Sequence, residues 1–220
     1  MDAQAARPAS AKPPAKAPGK REQTKQQNRQ VILEAARRVF AEMGYGAATV
    51  RDIIRATPLA SGTFYNYFDS KEEVYEAIQN EVALVIRPRL REERNKASTV
   101  EEFISGTFRT FFEFVTRDEM NFRNLRHSAD TTRVRMDTPE VIAGFEELRE
   151  DLERAIARGV FPPVDADFLM ASIVGVAFEI TERLLRREPR DPAYAANFAT
   201  ALFMGGVRAL PPSSNGHAQE

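Results

Sequence analysis

Apolar residues recur at helical spacing along most of this chain and break off at polar, glycine and proline stretches that mark helix ends. Residues 1–24 have no apolar period and hold Pro8, Pro13, Pro14 and Pro18 among alanines and lysines, so a disordered basic tail is expected. A first helix is predicted over 26–43, with Ile32, Ala35, Ala36, Val39, Phe40 and Met43 on one face and Gly44 ending it. Thr49 is placed to cap a second helix, and Asp52 three residues on completes a capping box. That helix ends near 57 and turns Val50, Ile53 and Ile54 inward, and a third short helix follows over 60–67. Ser70 before Lys71-Glu72-Glu73 reads as the cap and acidic first turn of a fourth helix reaching about 95. Its inward stripe is Val74, Ile78, Val82, Val85 and Ile86, and Pro88 is expected to kink or split it. Further helices are predicted at 99–117, 119–128, 138–158, 165–187 and 192–209, and residues 211–220 read as a second tail. No stretch reads as a strand and no internal repeat stands out, so the expected fold class is all-α.

Charge distribution changes this picture more than its total does. The net charge is −1, yet residues 1–71 hold 12 Lys/Arg against 6 Asp/Glu, while the remainder holds 19 against 26. A basic front and an acidic back suggest that the front meets a polyanion. With no cysteine there can be no disulfide, thiolate metal site or cysteine nucleophile, which fits a reducing cytoplasm. No apolar run approaches the roughly 20 residues a membrane span needs, and the N-terminus lacks a secretory apolar core. A cytoplasmic protein without a membrane partner is expected. Only His127 and His217 are present, with no glycine-rich phosphate loop and no helical metal pair, so no catalytic residue, cofactor or metal is assigned.

The two short helices at 49–56 and 61–67, joined by a tight turn at 57–60, have the form of a helix-turn-helix, in which the second helix enters the major groove while the first braces it. Their residues carry a resemblance. Thr49-Val50-Arg51-Asp52-Ile53, Ser61-Gly62-Thr63-Phe64-Tyr65-Asn66-Tyr67-Phe68 and Ser70-Lys71-Glu72-Glu73 resemble the N-terminal domain of the TetR family of regulators. Ile32-Leu33-Glu34-Ala35-Ala36 and Phe40-Ala41-Glu42-Met43-Gly44-Tyr45 are similar to that family's first helix, so the likeness spans about 28–80. The chain departs from the family where Pro58 replaces the usual turn glycine and Ala60 the usual serine. Pro58 biases Thr57 away from helical geometry, so the brace should end a residue early.

The resemblance and the side-chain chemistry together nominate a DNA-binding set. Thr49 offers a hydroxyl and an amide to phosphate. Arg51 and Lys71 place charge where the backbone passes. Ser61, Gly62 and Thr63 open the reading helix, with Gly62 permitting close approach to base edges. Tyr65 and Tyr67 suit phosphate or a thymine methyl, and Asn66 an adenine edge. Phe64 and Phe68 read as core.

Beyond the head the likeness is one of length and helicity, and it implies an effector pocket. The helix at 99–117 is apolar on several faces, which marks a central helix. Phe103, Phe108, Phe111 and Phe112, then Phe122 and Phe178, nominate an aromatic lining for a small apolar or aromatic effector, and a phenylalanine stripe serves equally well as plain core. His127, in a polar cluster with Arg123, Arg126 and Asp130, and Glu179, interrupting an apolar run, could orient a ligand. In the last two helices, Leu169, Ile173, Val176, Ile180 and Leu184 form one stripe, Val174, Phe178 and Leu185 extend another, and Phe198, Leu202 and Gly205-Gly206 give a further apolar face. One face can serve the core and the other a twofold partner, as a four-helix interface.

The expected organisation is a tail at 1–24, a DNA-binding head at 25–71, an effector and dimerisation body at 72–210 and a tail at 211–220. The expected function is a homodimeric repressor that binds a palindromic operator and is released by its effector. A ligand-responsive activator and a soluble carrier of apolar ligands stay open as alternatives; the carrier leaves the 49–71 motif and the charge split unexplained.

Overall fold

The computed structural model describes residues 19–117 and 138–207. The predicted helix at 119–128, the nominated Phe122 and His127, and both chain-end tails past these limits lie outside the described residues. Every regular element among those described is helical: α1 (Lys20–Met43), α2 (Val50–Arg55), α3 (Ser61–Tyr65), α4 (Lys71–Lys96), α5 (Val100–Arg117), α6 (Pro139–Ala157), α7 (Ala166–Leu185) and α8 (Pro192–Val207).

Local chemistry sets most of the boundaries. Gly44, at φ 77°, ends α1 in a conformation that side-chain-bearing residues rarely adopt. Thr49 and Asp52 form the reciprocal capping box on α2. Ser70 accepts from the Glu73 amide (3.1 Å) at the start of α4, and Asp165 accepts from the Asp167 and Phe168 amides (both 3.0 Å) at the start of α7.

Two boundaries differ from expectation. α1 begins at Lys20, inside the stretch read as tail. Residues 20–30 are rich in Lys, Arg and Gln, which favour helix without supplying an apolar stripe, so periodicity alone starts the helix late. α4 runs through Pro88 without splitting. Pro88 is exposed, and Leu84, whose carbonyl loses its partner amide, is 54% exposed, so that carbonyl lies on the solvent side of the helix. Val85, expected inward, shares this outer face.

Two large apolar cores form among the described residues, with a small third cluster at Val115 and Leu185. In the head, Ile32, Leu33, Val39 and Phe40 of α1 close over Ile53 of α2, Phe64 of α3 and Phe68, with Val74, Tyr75 and Ile78 of α4 completing the set. Helices as short as α2 and α3 are not stable alone in water, so this packing is what holds them. The body core gathers Phe103, Ile104, Phe108 and Phe112 of α5 with Leu148 and Leu152 of α6, Leu169 and Ile173 of α7, and Ala199 and Phe203 of α8. α5 is its central helix, packed on α4, α7 and α8. Because head packing continues to Ile78, α4 is built into both units, and a boundary at residue 71 would cut through the head core.

Ion pairs fasten α4 on both sides. Glu81 accepts from Arg29 (2.8 Å), Arg37 (2.6 Å) and Gln30 (3.1 Å), all on α1. Further along, Arg87 pairs with Glu147 (2.7 Å) and with Glu140, and Arg94 donates to Asp151 at 2.6 Å. Gly144 lets α6 come this close, since a Cβ there would lie 3.2 Å from Cγ of Arg87.

Candidate nucleic-acid interface and interior cavity

The turn between α2 and α3 is closed by Thr57. Its hydroxyl donates to the Ile54 carbonyl (2.8 Å) and accepts from the Leu59 amide (3.2 Å). This hydroxyl fixes the turn at Pro58, while Ala60 caps α3 without any side-chain hydrogen bond. α2 stops at Arg55, short of the Thr57 that Pro58 biases away from helical geometry.

Ser61, Gly62, Tyr65 and Asn66 are exposed on α3 and its C-cap, and Arg51 is exposed on α2. Tyr65 keeps 56% of its surface in solvent while its ring meets Phe64 edge-on at 5.4 Å. Thr63 and Tyr67 are half-buried, Tyr67 against the head core. A Cβ on Gly62 would touch nothing within 4 Å, so no internal packing demands a glycine there. These side chains form one outward surface, anchored from behind by Phe64 and Phe68.

Two nominated phosphate contacts are engaged inside the head. The Thr49 amide and hydroxyl both donate to the Asp52 carboxylate, at 3.0 and 2.6 Å. Those bonds, the side-chain one first, hold the Asp52 carboxyl below its ordinary range, so an anion sits where phosphate was expected. The Lys71 ammonium donates to the carbonyls of Tyr45 (2.9 Å), Ala48 (3.0 Å) and Gly46 (3.4 Å) and stands 4.6 Å from the Tyr45 ring centre. It clasps the loop that delivers Thr49. Sequence reading supplied the position but missed the clasp, whose signal was a loop with several carbonyls to satisfy.

In the body, a cavity of about 140 Å³ lies between α4, α5, α6 and α7. Phe108, Phe111 and Phe178 line it, as nominated. Phe103 and Phe112 do not: Phe103 is buried edge-on against Phe161 (5.3 Å), and Phe112 is buried and stacks beside Phe108 (5.7 Å). Glu179 is neither buried nor at the cavity; it is exposed on the outer face of α7, where a carboxylate needs no buried partner. Lining that the sequence did not nominate comes from Phe114, from Val141, Phe145 and Leu148 of α6, and from Gln79, Val82, Ala83 and Ile86 of α4. The charged groups at the wall are paired: Arg87 with Glu140 and Glu147, Arg94 with Asp151. Burial pushes the Arg94 guanidinium below its ordinary value, opposed by its bond to Asp151. The arrangement suits an apolar guest.

A third surface lies on the last two helices. Phe168 of α7 is 76% exposed, and Tyr194, Phe198 and Leu202 of α8 are each more than half exposed. Exposed Gly205 and Gly206 continue this stripe.

The model of bacterial regulatory proteins of the tetR family matches residues 32–78, which are the head core described above. The chain is 31% identical over 189 residues to the HTH-type transcriptional repressor KstR2 of Mycolicibacterium smegmatis, covering 81% of this chain and 90% of that protein. It is 27% identical over 214 residues to the HTH-type transcriptional repressor DhaR of Mycobacterium sp. (strain GP1), covering 87% and 96% respectively. Among solved structures, the fatty acid degradation regulator FadR from Bacillus halodurans matches with a TM-score of 0.70 at 25% identity, covering 82% of this chain and 96% of that one. The similarity therefore takes in the helical body as well as the head.

Proposed function

Because the chain belongs to the TetR family of bacterial transcriptional regulators, we propose that it is a homodimeric repressor whose two heads hold a palindromic operator and whose grip is released by a small, largely apolar effector. The relatives named as transcriptional repressors support the sign of regulation. The observation that carries the reading is that α4 joins the head core to the cavity of the body: Val74, Tyr75 and Ile78 pack in the head, while Val82, Ala83 and Ile86 line the cavity.

The DNA contacts come from Arg51, Ser61, Gly62, Thr63, Tyr65, Asn66 and Tyr67, with Thr49 and Lys71 shaping the loop in front of them. Ser61, Gly62 and Asn66 face base edges, and Arg51 and Tyr65 face the backbone. One five-residue reader spans too few base pairs for specificity, so two are needed. The exposed stripe of Phe168, Tyr194, Phe198 and Leu202 supports pairing through α7 and α8 about a twofold axis.

Release follows from differential binding. A guest between α4 and α6 favours one tilt of α4, and Glu81 ties that tilt to α1 of the head. An effector shifts the operator equilibrium only by the ratio of its affinities for the two tilts. The reading places the protein in the cytoplasm with its operator, and no described helix is long and apolar enough to cross a membrane. Selection from a random duplex library tests it: recovery of a palindrome by the wild type, with weaker recovery by Tyr65→Ala, is expected. Enrichment of a single half-site by a protomer would remove the dimer from the account.

A further inference from the structure

Gln79 is the unusual residue of α4. It is 1% exposed, and neither its amide nitrogen nor its amide oxygen has a hydrogen-bond partner among the described residues. A buried amide without partners is destabilising, and a residue kept in that state needs a reason. Gln79 borders the cavity, and it directly follows Ile78, the last α4 residue buried in the head core. The unsatisfied group therefore sits where the guest site and the DNA-reading unit meet.

The remaining wall narrows the guest. Arg87 and Arg94 are the cations at the cavity among the described residues, and both are committed to carboxylates, with Glu147 at 2.7 Å and Asp151 at 2.6 Å. An anionic guest would have to break a pair, and a cationic one would find no free carboxylate in the described lining. Thr107 donates its hydroxyl to the Phe103 carbonyl at 2.7 Å. The cavity of about 140 Å³ compares with the ~150 Å³ known to accept benzene.

From these observations, and resting on the effector reading above, we propose that the cavity takes an uncharged molecule of about one substituted aromatic ring bearing a single hydroxyl, which pairs with the Gln79 amide. The hydroxyl can accept from the amide nitrogen or donate to its oxygen, and the ring lies among Phe108, Phe111 and Phe178. Pairing at Gln79 links binding to the α4 segment that enters the head, so occupancy bears on head position as well as on affinity.

The test uses the full chain and three probes that share a methylated ring and differ in the para substituent: p-cresol, toluene and 4-methylbenzoate. Calorimetric titration is expected to rank p-cresol about tenfold tighter than toluene, with 4-methylbenzoate weakest. In Gln79→Met, which keeps the volume and removes the amide, the preference should collapse to near unity while toluene binding persists. The wild-type ranking is decisive by itself should Gln79→Met not fold. Equal binding of p-cresol and toluene to the wild type, tightest binding of 4-methylbenzoate, or no binding of any probe at millimolar concentration would each overturn the proposal. A separate operator titration distinguishes the underlying reading: p-cresol bound with the expected preference but leaving operator affinity unchanged would retain the Gln79 pairing and remove the effector role.

Discussion

Replacing Lys71 by methionine separates two roles that one lysine could have. The ammonium donates at 2.9 and 3.0 Å to the Tyr45 and Ala48 carbonyls, with a weaker bond at 3.4 Å to Gly46, and lies 4.6 Å from the Tyr45 ring. Hydrogen bonds to a charged donor contribute about 1.5–3 kcal/mol each, and an exposed cation–π contact about 0.5–1 kcal/mol. Lys71 is half-buried, and water can replace part of what is lost, so a destabilisation of about 2 kcal/mol is expected for Lys71→Met. Urea denaturation of the full chain measures it. The same variant is then titrated against operator DNA over a series of salt concentrations, with Arg51→Met as the reference. A lost phosphate contact lowers the slope of log K against log salt by about 0.9. Lys71→Met should weaken operator binding at every salt concentration while keeping the wild-type slope, whereas Arg51→Met should reduce the slope. Unchanged stability together with a slope reduced by about one would refute the clasp and return Lys71 to the phosphate backbone.

Three further outcomes are expected. Asp151→Leu leaves the buried Arg94 guanidinium without its partner and should lose about 3–5 kcal/mol in urea denaturation, while the double variant Arg94→Met/Asp151→Leu should recover most of it. The hydrogen bond from Arg87, ahead of the opposing effect of burial, holds the Glu147 carboxyl below its ordinary value of 4.5, so its stabilisation is full above that pH and is lost as pH falls through the lower folded value. Melting temperature should therefore drop less steeply with acid below pH 4.5 in Glu147→Gln than in the wild type. Phe198→Glu places a charge on the exposed α8 stripe; sedimentation velocity should show protomers, and operator affinity should fall at least tenfold.

Much of the head was legible because its signals are local. The Thr49–Asp52 box, the Ser70 cap and the α1 stripe from Ile32 to Phe40 act over a few residues, and the structure repeats them, whereas Met43, expected on the same face, is 47% exposed at the helix end. What escaped depends on partners distant in sequence. Lys71 looks like a free cation until the loop carbonyls 23–26 residues earlier fold over it. Phe103, Phe108, Phe111 and Phe112 look alike on a helix apolar on several faces; the positions of α6 and α8 decide which of them meet the cavity. Glu179 interrupts an apolar run, yet the face it occupies is the outer one. Gln79 gave no signal, since a glutamine on a helix is ordinarily solvated, and only burial between the head core and the cavity makes it unusual.

The central claim is that α3 reads sequence. The most direct measurement is the ratio of dissociation constants for a random duplex and the selected operator, at one fixed salt concentration. The account predicts a ratio of at least about 10³ for the wild type, falling ten- to a hundredfold in Asn66→Ala through loss of operator affinity with random-duplex affinity unchanged. A wild-type ratio near one, or a ratio unmoved by Asn66→Ala, Ser61→Ala and Tyr65→Ala alike, would contradict it.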